Sequence, residues 1–160
     1  MQDSVQTILD FWFNEIQPRQ WDQVNEAFDF ELRERFALCF EMAREGLCDE
    51  WTSSPDGALA YILLTSIFPK LMYRDTHKAY ELCDKAAQAA LQAIEKGYDQ
   101  IYPASKRKFI YLALLESNNC SDIEASVYGL GRIMHDEPVA YQRALRAHGD
   151  MKILETVAKN

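Results

Sequence analysis

Apolar residues return at helical spacing along almost the whole chain, and this period decides the fold class before any motif is considered. Val5, Ile8, Leu9 and Trp12 share one face of a first helix. Phe28, Leu32, Phe36, Cys39 and Phe40 do the same in a second, from about Val24 to Glu45. Leu59, Ile62, Leu63 and Ile67 mark a third. With only 6 glycines and 5 prolines in 160 residues, the chain lacks the turns an all-β fold needs. The prediction is an all-α protein.

Punctuation residues divide this pattern. Asp3 or Ser4 is the expected cap of the first helix, and Pro18 separates it from the second. Gly46 suits a left-handed residue just past the second helix. Ser54, Pro55 and Asp56 form a strong start: a capping hydroxyl, a proline at the first helical position and an acid at the positive dipole end. Pro69 is expected to interrupt this third helix. Asp75 or Thr76 then begins a long fourth helix, rich in alanine and ended by Gly97. Pro103 opens a fifth, carrying Phe109, Leu112, Ala113 and Glu116. Ser121-Asp122-Ile123-Glu124 fits a capping box for a sixth. Pro138 starts a seventh, and Asp150 is expected to cap a short terminal turn. Helices with short connections predict antiparallel hairpins. No linker or composition break occurs, so residues 1–160 are expected to form one helical domain. No clean 34-residue repeat is present.

Charge narrows the partners. The formal net charge is −8, with 13 acids and 4 bases in residues 1–60 against 12 and 13 in the rest. So acidic a chain gains little from counterion release, which argues against nucleic-acid binding. No apolar run approaches the ~20 residues of a membrane span. The first ten residues lack a basic, uninterrupted signal pattern, so a cytoplasmic protein with reduced thiols is expected. Cys39, Cys48, Cys83 and Cys120 match no zinc spacing, and no metal or cofactor is expected.

No phosphate loop, HExxH, GxSxG or EF-hand pattern is present. His77, His135 and His148 suit structural places at helix ends. The polar groups that stand out lie at two breaks in the apolar pattern. Lys70, Tyr73 and Arg74 follow Pro69, and Lys106, Arg107 and Lys108 open the fifth helix. Glu116, Ser117, Asn118 and Asn119 replace apolar residues at its far end. Helices three and five should run in the same direction, which would bring Lys70, Arg74 and Glu116 to one end of the stack. The candidate binding set is therefore Lys70, Tyr73, Arg74, Arg107, Glu116, Ser117 and Asn118, with no catalytic residue assigned.

In order along the chain, several blocks resemble those of DUF924, a family of bacterial helical proteins of unknown function. Ile8-Leu9-Asp10-Phe11-Trp12-Phe13 is similar to the family's LDFWF start. Trp21-Asp22, Phe28-Asp29 and Leu32-Arg33-Glu34-Arg35-Phe36 resemble its second block. Gly46-Leu47 with Trp51, Leu59-Ala60 through Tyr73-Arg74, and Arg107-Lys108-Phe109-Ile110-Tyr111-Leu112 continue the likeness, which covers about residues 8–150. It implies stacked hairpins in a tetratricopeptide-like, right-handed array. The polar motifs depart from the family. Ser66, Ile67, Phe68, Pro69, Lys70 and Leu71 stand where it carries Asp-Gln-Phe-Pro-Arg-Asn. Glu116 to Asn119 replace His-Ser-Glu-Asp, and Ile123 replaces a glutamine. The family's phenylalanine-, proline- and arginine-rich end is not matched beyond Asp150.

With the apolar scaffold kept and the polar set replaced, the expected function is a non-enzymatic scaffold binding a protein or peptide. The alternative is a hydrolase-like enzyme with a rebuilt site around Lys70, Arg74, Arg107 and Glu116. The tryptophans Trp12, Trp21 and Trp51 are expected to be core residues. Trp12→Ala should then cost about 3–5 kcal/mol; an unchanged midpoint in denaturant unfolding would contradict that placement.

Overall fold

The computed structural model describes residues 2–159, with side chains from Ser4 onward. The described residues form α1 (Gln2–Asp10), α2 (Glu26–Arg44), α3 (Pro55–Ile62), α4 (Phe68–Met72), α5 (Cys83–Glu95), α6 (Ala104–Leu112), α7 (Cys120–Gly131) and α8 (Pro138–Lys159). Helical turns of other pitch fill most connections, and no strand occurs among these residues.

At the centre, α3 continues through a π-turn, Leu63–Ile67, straight into α4. Every residue from Ala58 to Leu64 is buried. A helix apolar on all sides must be covered on all sides. Accordingly α1, α5 and α6 pack around α3, while α2 covers α4. The aromatic side chains of the first two helices close the core: Phe11 stacks on Phe28 at 6.1 Å and meets Phe36 at 5.2 Å and Phe68 at 6.3 Å. Trp12 and Trp51 are buried and Trp21 is half-buried.

Pro69 does not break the rod as expected; it lies buried within it. In a regular α-helix its ring would press on the carbonyl four residues back, and its missing N–H would leave a gap. The wider turn ahead of it accommodates both, with the Phe68 N–H reaching back to the Leu63 carbonyl. A second π-turn, Phe11–Glu15, extends α1, and the Ile16 N–H bonds the Phe11 carbonyl at 3.2 Å.

Several ends follow the sequence signals. Ser54 Oγ accepts from the Gly57 N–H at 3.2 Å, and Asn25 Oδ1 accepts from the Phe28 N–H at 3.1 Å. Gly46, at φ +83°, closes α2 with paired bonds from its own N–H to Ala43 and from Leu47 to Met42.

Elsewhere the ends differ from expectation. Ser4 lies inside α1, and the Asp3 side chain falls outside the described residues. The long fourth helix is divided: Asp75 adopts φ +61°, His77–Tyr80 form a 3-10 turn, and α5 begins only at Cys83. An aspartate tolerates the left-handed region well enough to turn the chain there. Asn119, rather than Ser121, caps α7, its Oδ1 accepting from the Ser121 N–H at 2.9 Å. Glu124 instead faces α8, 3.6 Å from Lys152 and 3.8 Å from His148. Short-range bonds from Leu114 to Tyr111 and Leu115 to Leu112 end α6 early, so Glu116 sits in the turn before α7. Finally, α8 runs uninterrupted past Asp150, through Gly149.

Two glycines should respond oppositely to a methyl group. At Gly57 a Cβ would sit 2.1 Å from the Trp51 carbonyl oxygen and 2.8 Å from the Ser54 hydroxyl, whereas nothing lies within 4 Å at Gly149. Gly57→Ala should lower the thermal midpoint. Gly149→Ala should raise stability by about 0.5–1 kcal/mol, the ordinary helix-interior gain. Equal shifts in calorimetry would contradict both placements.

Candidate functional site

The two π-turns border the same cleft. The first presents Trp12; the second contributes Ile67 and leads to Lys70 and Leu71 in α4. Trp21 enters from the 3-10 turn Pro18–Asp22, Lys108, Phe109 and Leu112 from α6, and Ala140 and Arg143 from the start of α8. The enclosed volume is about 230 Å³. Inserted π-turns recur at functional positions because they aim side chains that a regular helix would place elsewhere.

An aromatic wall is fixed by several contacts. Trp12 and Trp21 stack at 5.6 Å with planes 13° apart. The Trp21 indole N–H donates to the Trp12 carbonyl at 3.0 Å. Phe109 stands edge-on to Trp21 at 5.0 Å. The Trp12 indole N–H is buried and donates to no atom among the described residues. Lys108 Nζ lies 4.9 Å from the Trp21 ring centre and 5.3 Å from that of Phe109, where the negative ring faces attract it. It also reaches Glu137 Oε2 at 3.0 Å. Lys70 Nζ meets Glu116 Oε1 at 2.9 Å. Arg143, on the exposed side, takes part in no ion pair among the described residues.

The residues singled out from sequence divide among several places. Lys70 lines the cleft and Glu116 is its partner, as the helix directions implied. Arg74 does not join them. It makes a two-pronged pair with buried Asp29, at 2.6 and 3.3 Å, and so ties the turn after α4 to α2. Its guanidinium pKa is raised, chiefly by the hydrogen bond to Asp29. Tyr73 packs on Phe40 at 5.3 Å with Lys78 over its ring. Arg107 donates to the Tyr102 carbonyl at 3.0 Å. Ser117 donates to Asp122 Oδ2 at 2.6 Å, and with Asn118 it borders a separate polar depression between α5 and α7. Ser66, where DUF924 carries an aspartate, is buried with its hydroxyl unbonded among the described residues.

Trp21, Glu137 and Arg143 were not among the sequence candidates. Trp21 is half-exposed, and nothing in its spacing separates it from a core residue. Glu137 precedes Pro138 and reads as a helix-start acid. Lys108 is recognisable only through the aromatic rings that converge on it.

Thiol chemistry gains no support here. All four cysteines are unpaired. Burial pushes the Cys48 thiol up to about 11, with Cys39 and Asp49 adding to the effect, and burial also raises Cys39 and Cys83. Such thiols hold little thiolate at neutral pH. No group of three or more metal-ligating side chains is gathered among the described residues, and none of their helices is long and apolar enough to cross a membrane.

Residues 8–158 match the model of a family described as "Bacterial protein of unknown function (DUF924)". The chain belongs to that family. A solved structure of a protein of unknown function from Agrobacterium tumefaciens, ATU0120, aligns with this DUF924 member at a TM-score of 0.86 and 24% identity. The alignment covers 92% of this chain and 82% of the other, and at that identity it shows a common fold. No curated protein matches the chain.

The Lys108–Glu137 pair is well shielded, with side chains 16% and 17% exposed, while Arg35–Glu15 is 33% and 50% exposed. A double-mutant cycle should give about 1.5–3 kcal/mol of coupling for the first, as for a charged hydrogen bond. The second should give about 0.2–1 kcal/mol, the range for exposed pairs. Equal couplings would mean that the cleft pair is solvated like a surface pair.

Proposed function

We propose that this DUF924 member is a non-enzymatic helical module, its hairpins stacked in a tetratricopeptide-like right-handed array, that holds an acidic peptide segment of a partner protein in the Trp12–Trp21 cleft. The observation that carries this is the convergence of both π-turns on one cleft with an aromatic wall and a basic rim. Of the cations in the lining, Lys70 and Lys108 are held by Glu116 and Glu137, which leaves Arg143 as the one with no ion pair among the described residues. An apolar side chain of the segment lies against Phe109, Leu112 and the indoles. An adjacent carboxylate takes Arg143, whose charge is otherwise unmatched. Charge complementarity of this kind selects partners more than it adds raw affinity.

A hydrolase-like reading would need Lys70, Arg74, Arg107 and Glu116 to converge. Only Lys70 and Glu116 meet, while the two arginines are committed to Asp29 and the Tyr102 carbonyl. Each held by a fixed partner, whether a charged side chain or a backbone carbonyl, these groups are suited to fixing geometry rather than moving protons.

The stacked tryptophans provide the readout. A capped peptide with leucine between glutamates should change their emission saturably, and the same peptide with lysines should not. Arg143→Gln should weaken binding about tenfold, the equivalent of ~1.4 kcal/mol. An emission that ignores the acidic peptide, or a variant that binds as tightly as the parent chain, would reject the assignment.

A further inference from the structure

A more open depression, about 230 Å³, adjoins the Trp12–Trp21 cleft where α8 passes the turn after α6. Leu115 and Glu116 form one side of it, and Arg143, Arg146, Ala147 and Asp150 of α8 form the other. Arg143 lines both spaces. The Lys70–Glu116 ion pair also spans them, with Lys70 in the cleft and Glu116 in the depression. The two spaces are therefore neighbours across Arg143, and a peptide lying in one can continue into the other.

Arg143 and Arg146 are both exposed, and neither forms an ion pair or hydrogen bond among the described residues. Three residues apart on one helix, they have Cβ atoms about 5–6 Å apart, so both long side chains reach one anion held between them. The other bases near the cleft are committed: Lys70 to Glu116, Lys108 to Glu137, Arg74 to Asp29 and Arg107 to the Tyr102 carbonyl. The two acids of the depression limit where an anion can sit. Glu116 is neutralised by Lys70 at 2.9 Å. Asp150, about one turn beyond Arg146, repels an anion placed further along α8, which leaves the space over the two arginines.

We infer that the acid read by Arg143 and Arg146 is a phosphorylated side chain of the partner peptide, next to the apolar residue held in the cleft. This assignment rests on the reading of the cleft as a peptide site. The two oxygens of a carboxylate are filled by one guanidinium fork, so a glutamate on Arg143 leaves Arg146 without an acceptor. A phosphoserine brings three acceptor oxygens and a charge of about −1.5 to −2 at neutral pH, enough to engage both arginines. Clustered arginines recognise phosphorylated segments in this way. An unmodified serine offers neither the charge nor the oxygens, so capture of the partner follows its phosphorylation.

Tryptophan emission of the full chain tests the assignment with three capped peptides, placing leucine between two glutamates, two phosphoserines or two serines. The phosphoserine peptide should bind at least about tenfold more tightly than the glutamate peptide, ~1.4 kcal/mol, and the serine peptide more weakly than either. Arg146→Gln, at an exposed position, should retain its circular dichroism and leave the glutamate peptide's affinity unchanged. It should also bring the phosphoserine peptide down to that affinity. Arg132→Gln removes an exposed cation from a cavity that shares no residue with these two spaces, and should keep the full preference. Equal affinity for phosphoserine and glutamate, a preference that survives Arg146→Gln, or one that Arg132→Gln also abolishes would overturn the inference and leave the cleft a peptide site. Inorganic phosphate should compete only at concentrations at least about tenfold above the phosphoserine peptide's. Competition at the peptide's own concentration would also overturn the inference, because the arginines would then take a free anion. Binding of none of the three peptides would reject the cleft assignment and the inference together.

Discussion

Residues Ala58 to Leu64 are buried on every side of the helix they form, and the other elements are arranged to keep water from them. A helix with one apolar stripe needs one neighbour, but one that is apolar all round must be enclosed. That requirement explains why α1, α5 and α6 share a single partner in α3. It also explains the alanines of α5: Ala86, Ala90 and Ala93 are buried, and their small size allows a close approach. The entry to the rod is secured in the same way. Ser54 caps it, the Tyr98 hydroxyl donates to the Ser53 carbonyl at 2.9 Å, and the Tyr102 hydroxyl donates to Asp56.

Helix existence was legible in the sequence because it rests on local rules that act over four residues. The Ser54–Pro55 start and the left-handed Gly46 follow from side-chain chemistry alone. Errors arose where tertiary packing overrode a local signal. Pro69 is a breaker by propensity, yet it survives inside a rod that is enclosed and widened ahead of it. Ser121 and Glu124 fit a capping box, but Asn119 reaches the free N–H first and α8 engages Glu124. Asp75 looked like a helix start and instead supplies a left-handed turn.

The site was less legible for a related reason. Lys70 and Glu116 could be brought together by helix direction alone. Arg74 could not be separated from them without knowing that Asp29, on α2, is buried beside it. Lys108 gains its character from Trp21, Phe109 and Glu137, three residues from separate parts of the chain. The informative groups are those with unused bonding capacity, the buried Trp12 indole and the exposed Arg143 and Arg146 guanidiniums. Periodicity marks which positions are buried; it does not say which polar groups lack a partner.

The π-turn at Leu63–Ile67 also fixes the rotational setting of everything that follows it. A π-turn holds one residue more than the α-turn it replaces, and each residue in an α-helix advances the chain by ~100° about the axis. Deleting one residue within that turn would index α4 by about a quarter-circle. Leu71 and Met72, now buried, would exchange faces with neighbours such as Lys70, and Pro69 would meet a regular turn that resists it. The single additional residue thus acts as a phase-setter: the face on which Lys70 meets Glu116 depends on chain length upstream as much as on any contact at the site itself.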